Sequence, residues 1–305
     1  MSDTFFEELS IPKPTHNLHI SGGGHGEMTG RMLIGLERVM LDENPDAVVV
    51  FGDTNSTVAG ALSAVKLHIP IVHIEAGLRS FNRRMPEEIN RIMTDHVSSL
   101  LLCPTKNSVQ NLNDEGIVKG VHHVGDVMYD ATLYAKENAA RYSTILEDLN
   151  LRETQFTLAT IHRAENTNTA EKLEKIIQFL RDIAKDSPVI LPLHPRTKGV
   201  LEKHRIGLEG ITIIEPIGYF NMHRLLGAAS NVVTDSGGIQ KEAYFHGIPC
   251  ITVRDETEWV ETIEHGWNRL WQDTTYHKPK RSISDYGRGD AADICVQQIF
   301  EFLQN

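Results

Sequence analysis

Short apolar runs rich in β-branched residues alternate with amphipathic stretches along nearly the whole chain. The runs at 47–51, 71–74, 100–103, 156–161, 189–193, 211–214, 231–234 and 250–253 are apolar at successive positions, not at every second one. Strands of that kind are covered on both faces, as parallel strands under helices must be. Between them, 27–41, 58–66, 87–98, 107–115, 170–185, 221–228 and 239–245 read as helices. Strand and helix in alternation predict doubly wound α/β domains. The polar, helix-prone stretch 131–150 separates two such sets, giving a first domain over residues 1–145 and a second over 146–290. The amphipathic segment 291–305 is expected to pack back toward the first. Two such domains facing each other would place the carboxyl ends of both sheets around one cleft, where α/β sheets bind ligands.

Composition narrows the class. Of 305 residues, 40% are apolar and 23% charged, which excludes collagen-like and disordered chains. A net charge of −11 argues against non-specific binding to nucleic acid or to an anionic membrane. Cys103, Cys250 and Cys295 are scattered, without a CxxC pair, which suits a reducing compartment and neither a disulfide nor a zinc framework. Apolar runs stay strand-sized, short of the ~20 residues of a membrane helix. The acidic start Met1-Ser2-Asp3-Thr4-Phe5-Phe6-Glu7-Glu8 lacks the pattern of a signal peptide. The expected location is cytoplasmic. No HExxH, P-loop or spaced Cys/His set occurs, so neither a catalytic metal nor another cofactor is expected.

Candidate chemistry gathers where strands end. Asp235-Ser236-Gly237-Gly238-Ile239-Gln240-Lys241-Glu242 follows one strand and opens a helix. Ser and two Gly there either present backbone N–H groups to a diphosphate, with Glu242 in reach of a ribose, or simply make a turn that needs Gly. In Gly52-Asp53-Thr54-Asn55-Ser56-Thr57, Asp53 is either a helix N-cap or a functional carboxylate. Glu75, in His73-Ile74-Glu75-Ala76-Gly77-Leu78-Arg79, ends an apolar strand, where an unpaired charge costs on the order of several kcal/mol. Arg79 is the structural partner to expect; a catalytic carboxylate with a tuned pKa is the alternative. Pro86-Glu87-Glu88-Ile89-Asn90-Arg91 has good helix-start chemistry, and Glu87 with Arg91 predicts an exposed i,i+4 pair. The four arginines from Arg79 to Arg91 nevertheless suggest an anion site. His162-Arg163 and His194-Pro195-Arg196, after successive strands, read as phosphate or sugar contacts.

In this order the motifs resemble the non-hydrolysing UDP-N-acetylglucosamine 2-epimerase family, over nearly the whole chain. The resemblance implies the two-domain GT-B fold, with the nucleotide held mostly by the second domain. It implies that Ser236, Gly237, Gly238 and Glu242 hold the diphosphate and ribose. It also implies that Asp53, Glu75 and Glu87 are the acid/base carboxylates, with Arg91 and His162 near the leaving phosphate and Arg163, His194 and Arg254 among the substrate contacts. The reaction it implies eliminates UDP across C1–C2 to a 2-acetamidoglucal and adds it back with C2 inverted. Such chemistry asks for carboxylates near C2 and cations for departing UDP. A UDP-sugar is the expected partner, and a homodimer the expected assembly.

Two features depart from the family pattern. Members usually begin with one more βαβ unit carrying Gly-x-Arg-Pro, which has no counterpart in this sequence. The first domain is therefore expected to lack a central strand and one cation. The run 47–51 is expected to keep an unpaired edge, with poor solubility and little activity as the consequence. Second, Thr257-Glu258-Trp259-Val260-Glu261 stands where Thr-Glu-Arg-Pro-Glu is familiar. With Phe81-Asn82-Arg83-Arg84-Met85 it resembles the branch acting on UDP-2,3-diacetamido-glucuronic acid, leaving the substituents at C3 and C6 open. A GT-B glycosyltransferase and an inactive nucleotide-sugar-binding relic are the rival readings.

Overall fold

A computed structural model describes residues 6, 8–275 and 278–304; most of the acidic start weighed above as a leader lies outside them. The chain divides into two compact units, one of Lys13–Asp130 with Ser284–Asn305, the other of Met1–Pro12 with Ala131–Ile283.

The first unit is built on a parallel sheet of β1 (Val48–Phe51), β2 (Ile71–Ile74), β3 (Leu100–Cys103) and β4 (Val121–His123), in that order. Helices α1 (His25–Glu43), α2 (Asn55–Lys66), α3 (Pro86–Val97) and α4 (Lys106–Asp114) alternate with the strands. Helix α2 begins at a reciprocal cap: Thr54 Oγ1 accepts from the Thr57 amide and Thr57 Oγ1 from the Thr54 amide. Thr54, not Asp53, is thus the N-cap, and the Asp53 carboxylate is left for other work. On one face of the sheet Val72, Ile74, Leu100 and Leu102 pack with Cys295 of the C-terminal helix Ala291–Gln304. On the other, Leu101 and Cys103 meet Ala76 and Leu112. Among the described residues β1 pairs only with β2. Val49 is 40% and Phe51 59% exposed, so the expected bare edge is present.

Helices α5 (Val127–Tyr142) and α6 (Ile145–Asp148) lead to the second sheet, ordered β10-β9-β8-β5-β6-β7 and parallel throughout. Its strands are β5 (Thr157–Thr160), β6 (Val189–Pro192), β7 (Ile211–Ile214), β8 (Asn231–Thr234), β9 (Cys250–Thr252) and β10 (Asn268–Leu270). Between them run α7 (Ala164–Thr167), α8 (Ala170–Ala184), α9 (Pro195–His204), α10 (Tyr219–Ala228), α11 (Gly237–Phe245) and α12 (Val260–Glu264). Strand order reverses at β5: β6 and β7 extend to one side, β8 to β10 to the other. Such a reversal splays the connections apart and opens a crevice beyond the strand tips. Leu158, Ile190, Val232, Leu225 and Leu226 fill the core on one face, and Leu173, Ile176, Ile177 and Leu180 of α8 cover the other.

Sequence periodicity misses β4 and β10, whose segments Val-His-His and Asn-Arg-Leu contain no apolar run. It also misses α9, which opens on His194-Pro195, a segment whose sequence suggests only phosphate or sugar contacts.

Truncating Leu158 at the centre of the second sheet removes a fully buried side chain. Leu158→Ala is expected to cost about 2–5 kcal/mol, read as a lower urea midpoint for that unit with an unchanged slope.

Candidate active site

The carboxylates of the first unit are organised by Asp95, buried on α3. Asp95 Oδ1 lies 2.7 Å from His73 Nδ1, and Oδ2 accepts from Arg79 Nη1 at 2.7 Å and from the Gly77 amide at 3.2 Å. His73 Nε2 in turn lies 2.8 Å from the Gly52 carbonyl. Both ring nitrogens thus face oxygen acceptors. Arg79 completes the network through paired bonds to Glu115, of 2.6 and 2.9 Å. Burial alone would raise the Asp95 pKa, but the hydrogen bond and charge of His73, with Arg79, outweigh it and hold the group below the usual carboxylate range. Arg79 is therefore not the partner of Glu75 that sequence spacing suggests.

This network fixes the tips of β1 and β2 together. Glu75 has left-handed backbone at φ 73°, unusual for a residue with a β-carbon. Its amide and that of Ala76 both donate to Leu102 O, each at 3.1 Å. Gly77 must be glycine, because at φ 78° a β-carbon would stand 2.3 Å from Ser108 O. Glu75 Oε2 lies so near Gly52 that a β-carbon there would be 3.1 Å from it. Asp53 follows directly, its Oδ2 accepting from Arg91 Nη2 at 2.6 Å. Asn90 donates to the Asp53 carbonyl and to Asn55 Oδ1, tying α3 to the same turn.

Arg91 is 3% exposed, so the solvent-facing ion pair expected from i,i+4 spacing is not what it makes. Its guanidinium bridges Asp53 and Glu88, the latter at 3.0 Å. Glu88 also accepts from the Ser80 and Phe81 amides, both at 2.9 Å. Burial pushes its pKa up, but those amides and Arg91 outweigh it and keep it low. Glu87, half-buried in the first turn of α3, sits one helical turn before Arg91. Asp53, Glu75 and Arg91 are thus brought together, with Glu87 on the same helix as Arg91. Sequence reading missed Glu88, Asn90 and Asp95, although a signal exists. Positions 88, 91 and 95 of α3 are buried and charged while Ile89 and Met93 are about 40% exposed, so the usual helix pattern is inverted.

In the second unit the predicted residues collect at the tips of β5, β6, β8 and β9, around the reversal in strand order. Asp235, fully buried, accepts from the amides of His162 and Arg163 at 3.1 and 3.0 Å and from Asn166 Nδ2 at 3.0 Å. It therefore clamps the β5 tip to the β8 tip and leaves the ligand face to its neighbours. His162 Nδ1 stands 3.4 Å from Asp235, and its ring lies 5.7 Å from that of His194. Burial lowers the His162 pKa; Asp235 opposes this, and His194, Arg163 and Arg196 reinforce it. The balance favours the uncharged ring, which can serve as a hydrogen-bonding group. Ser236 caps α11, accepting from the Ile239 amide at 3.4 Å, with Gly237 and Gly238 in its first turn. A β-carbon on Gly237 would come within 2.6 Å of Glu258 Oε1. Glu258 pairs with buried Arg254 at 2.9 Å, so Arg254 is held in place by a carboxylate. Glu242 lies further along α11, facing His223.

Two parallel sheets, acid residues at the tips of one and a Ser-Gly-Gly turn at the reversal of the other define a Rossmann-like protein of the GT-B class. The chain belongs to the UDP-N-acetylglucosamine 2-epimerase family, whose model matches residues 1–292. A UDP-2,3-diacetamido-2,3-dideoxy-D-glucuronate 2-epimerase from Pseudomonas aeruginosa is 53% identical over 274 residues, covering 88% of this chain and 76% of its own length. A UDP-N-acetylglucosamine 2-epimerase homolog from Methanococcus maripaludis is 50% identical over 276 residues, covering 88% and 77%. Among solved structures, the UDP-GlcNAc 2-epimerase of Methanocaldococcus jannaschii in complex with UDP-GlcNAc and UDP superposes with a TM-score of 0.91. It shares 41% identity, over 99% of this chain and 88% of that one. Among the described residues no helix is long and apolar enough to cross a membrane, and no group of three or more His, Cys, Asp or Glu could hold a metal ion.

Asp95→Asn is expected to leave Arg79 and His73 facing a neutral amide, costing about 3–5 kcal/mol at pH 7. Because the folded pKa is depressed, this stabilisation is complete above the unfolded Asp value of about 3.9 and is lost as pH falls through the folded value. Urea midpoints of wild type and variant should thus converge in acid; a gap of constant size from pH 7 to pH 3 would show that Asp95 is not the titrating group.

Proposed function

We propose that the chain inverts C2 of a UDP-N-acetyl-hexosamine by eliminating UDP across C1–C2 and adding it back through a 2-acetamidoglucal. The observation that supports it most is the joining of Asp53 and Glu75 at adjacent strand tips, with the buried Arg91 guanidinium 2.6 Å from Asp53. The C2 proton is weakly acidic, so its removal needs a positioned base and a leaving group that departs readily. In this reading Asp53, Glu75 and Glu87 take and return the C2 proton, and Arg91 meets charge developing on the leaving diphosphate. His162 and Ser236 hydrogen-bond phosphate oxygens, the backbone N–H groups of Gly237 and Gly238 face the diphosphate, and Glu242 accepts from the ribose. Arg163, His194 and Arg254 complete the contacts.

At C3 and C6 the same reading takes either UDP-GlcNAc or its 2,3-diacetamido-uronate analogue. The second is favoured by Thr257-Glu258-Trp259-Val260-Glu261 with Phe81-Asn82-Arg83-Arg84-Met85, and by the 53% identity to a UDP-2,3-diacetamido-2,3-dideoxy-D-glucuronate 2-epimerase. An NMR time course with each sugar nucleotide in deuterated water tests the reaction. Inversion at C2 with one deuterium incorporated there is expected; transfer to an added acceptor without inversion would make the chain a glycosyltransferase. Binding without turnover would make it a relic.

Asp53→Asn, Glu75→Gln and Glu87→Gln are each expected to slow inversion about 10²–10⁴-fold with the circular dichroism spectrum unchanged. Turnover near the wild-type rate removes that carboxylate from the set. Ser236→Ala and His162→Ala should instead weaken UDP binding, each by about 1.5–3 kcal/mol. Calorimetry showing unchanged affinity in both would move the phosphate site elsewhere.

A further inference from the structure

Glu242 is 13% exposed, and its Oε1 stands 3.7 Å from Nε2 of His223, a fully enclosed side chain on α10. His223 Nδ1 lies 3.0 Å from His246 Nε2, just beyond the end of α11. The two outer nitrogens, His223 Nε2 and His246 Nδ1, are buried with no hydrogen-bond partner among the described residues. Tyr219 packs edge-on against His223 at 4.4 Å, and its amide donates to Glu8 at 2.6 Å. Lys241 stacks on Trp259, just before α12, and Lys136 of α5 is the cation facing His246. None of these residues belongs to the acid/base set.

One proton is shared between the two rings, and it has two arrangements. With His223 Nδ1–H donating to His246 Nε2, His223 Nε2 is a bare acceptor, matched to a protonated Glu242. With His246 Nε2–H donating to His223 Nδ1, His223 Nε2 carries the proton and presents it toward Glu242 Oε1 3.7 Å away, the polarity that suits a carboxylate. Passing from the first to the second moves the carboxyl proton to His223 Nε2 and the shared proton to His246 Nε2. The proton on His246 Nδ1 is then given up to the bulk buffer, so the net change is one proton lost from the protein to solvent. Burial, opposed by Lys241, pushes Glu242 up to about 7. Burial with His246 pushes His223 down to about 3, and burial with Lys136 pushes His246 down to about 4. Both rings therefore stay neutral while the carboxyl group titrates.

We propose that His223, held in register by His246, is a positioning residue that lets Glu242 exist as an acid in the empty protein and as a carboxylate against a nucleotide ribose. Ribose hydroxyls donate and so select the carboxylate. Nucleotide binding then releases a proton, and affinity falls as pH drops below the Glu242 midpoint. The inference rests on the ribose contact proposed for Glu242.

The test is calorimetric titration of the full chain with UDP-GlcNAc at several pH values, in buffers of different ionisation enthalpy. Both phosphates of that ligand are esterified, so it lacks the terminal-phosphate pKa of about 6. Wild type is expected to release about half a proton per site near pH 7 and to lose up to about tenfold in affinity per pH unit below it. His223→Leu, which cannot donate to the carboxylate, should move the midpoint up by about one unit. His223→Gln, whose amide can donate or accept, should return it toward wild type. A merely structural His223 would leave the midpoint unmoved in every folded variant. That result, or a wild-type affinity flat in pH with no proton released, overturns the proposal, and His223→Met, which likewise cannot donate, supplies the same readout where His223→Leu fails to fold. Absence of UDP-GlcNAc binding at any pH would instead remove the ribose reading, and this inference with it.

Discussion

The first unit depends on one buried carboxylate. Asp95 is enclosed by protein, so its charge must be met by protein donors, and those donors come from β2 and the loop that follows it. His73, Gly77 and Arg79 are separated by a few residues along the chain and converge on the same two oxygens. Once they do, the chain between them has little freedom. Glu75 is held at positive φ, a conformation that costs about 1–3 kcal/mol where nothing over-determines it. His73 carries the constraint across the sheet to the Gly52 carbonyl, and so to Asp53. A single buried charge thus sets the positions of two acids on two strands.

The second unit uses the same device with a different carboxylate. Asp235 lies at the end of β8, is equally enclosed, and accepts from the amides just beyond β5. Because β5 and β8 are neighbours where the strand order reverses, this clamp closes the inner wall of the crevice that such a reversal opens. His162, Arg163 and Ser236 are oriented by it. In both units the most deeply buried acid is not the one that meets a ligand in the proposed mechanism. It holds the backbone from which the exposed groups project.

That difference also marks what can be read from sequence. The runs at 71–74, 100–103 and 231–234 coincide with observed strands because apolar burial on both faces leaves a local signature, and 211–214 is a strand too, at the sheet edge with Thr212 and Ile213 exposed. Asp53, Glu75 and Ser236 stand out because a polar residue just after such a run has few structural reasons to be there, whereas Glu87 sits in a helix start that accounts for it and is marked only by the family resemblance. Asp95 and Asp235 are harder. One sits in the last turn of α3 and the other inside a motif whose glycines draw attention, and their roles consist of contacts 16 to 73 residues away in sequence. Pairing errors have the same origin. Local spacing offers Arg79 to Glu75 and Glu87 to Arg91, whereas the folded chain gives Arg79 to Asp95 and Glu115 and directs Arg91 to Asp53 and Glu88. The His223–His246 pair is likewise invisible, because one member lies on α10, the other just beyond the end of α11, and neither follows a strand.

Helix α3 shows why such residues are tolerated. Its buried face carries Glu88, Arg91 and Asp95 where an ordinary packed helix would carry leucines, and it leaves Ile89 and Met93 toward solvent. Replacing a buried ionic network with well-packed apolar side chains is often neutral or even stabilising, so stability alone does not account for this face. An apolar face would, however, accept from no amide and donate to no carboxylate. The Ser80, Phe81 and Gly77 amides would lose their acceptors and Asp53 its Arg91. The loop after β2 would then relax toward conformations in which Glu75 need not adopt positive φ. The charges on α3 are thus best understood as the means by which a helix dictates the shape of a loop it does not contain.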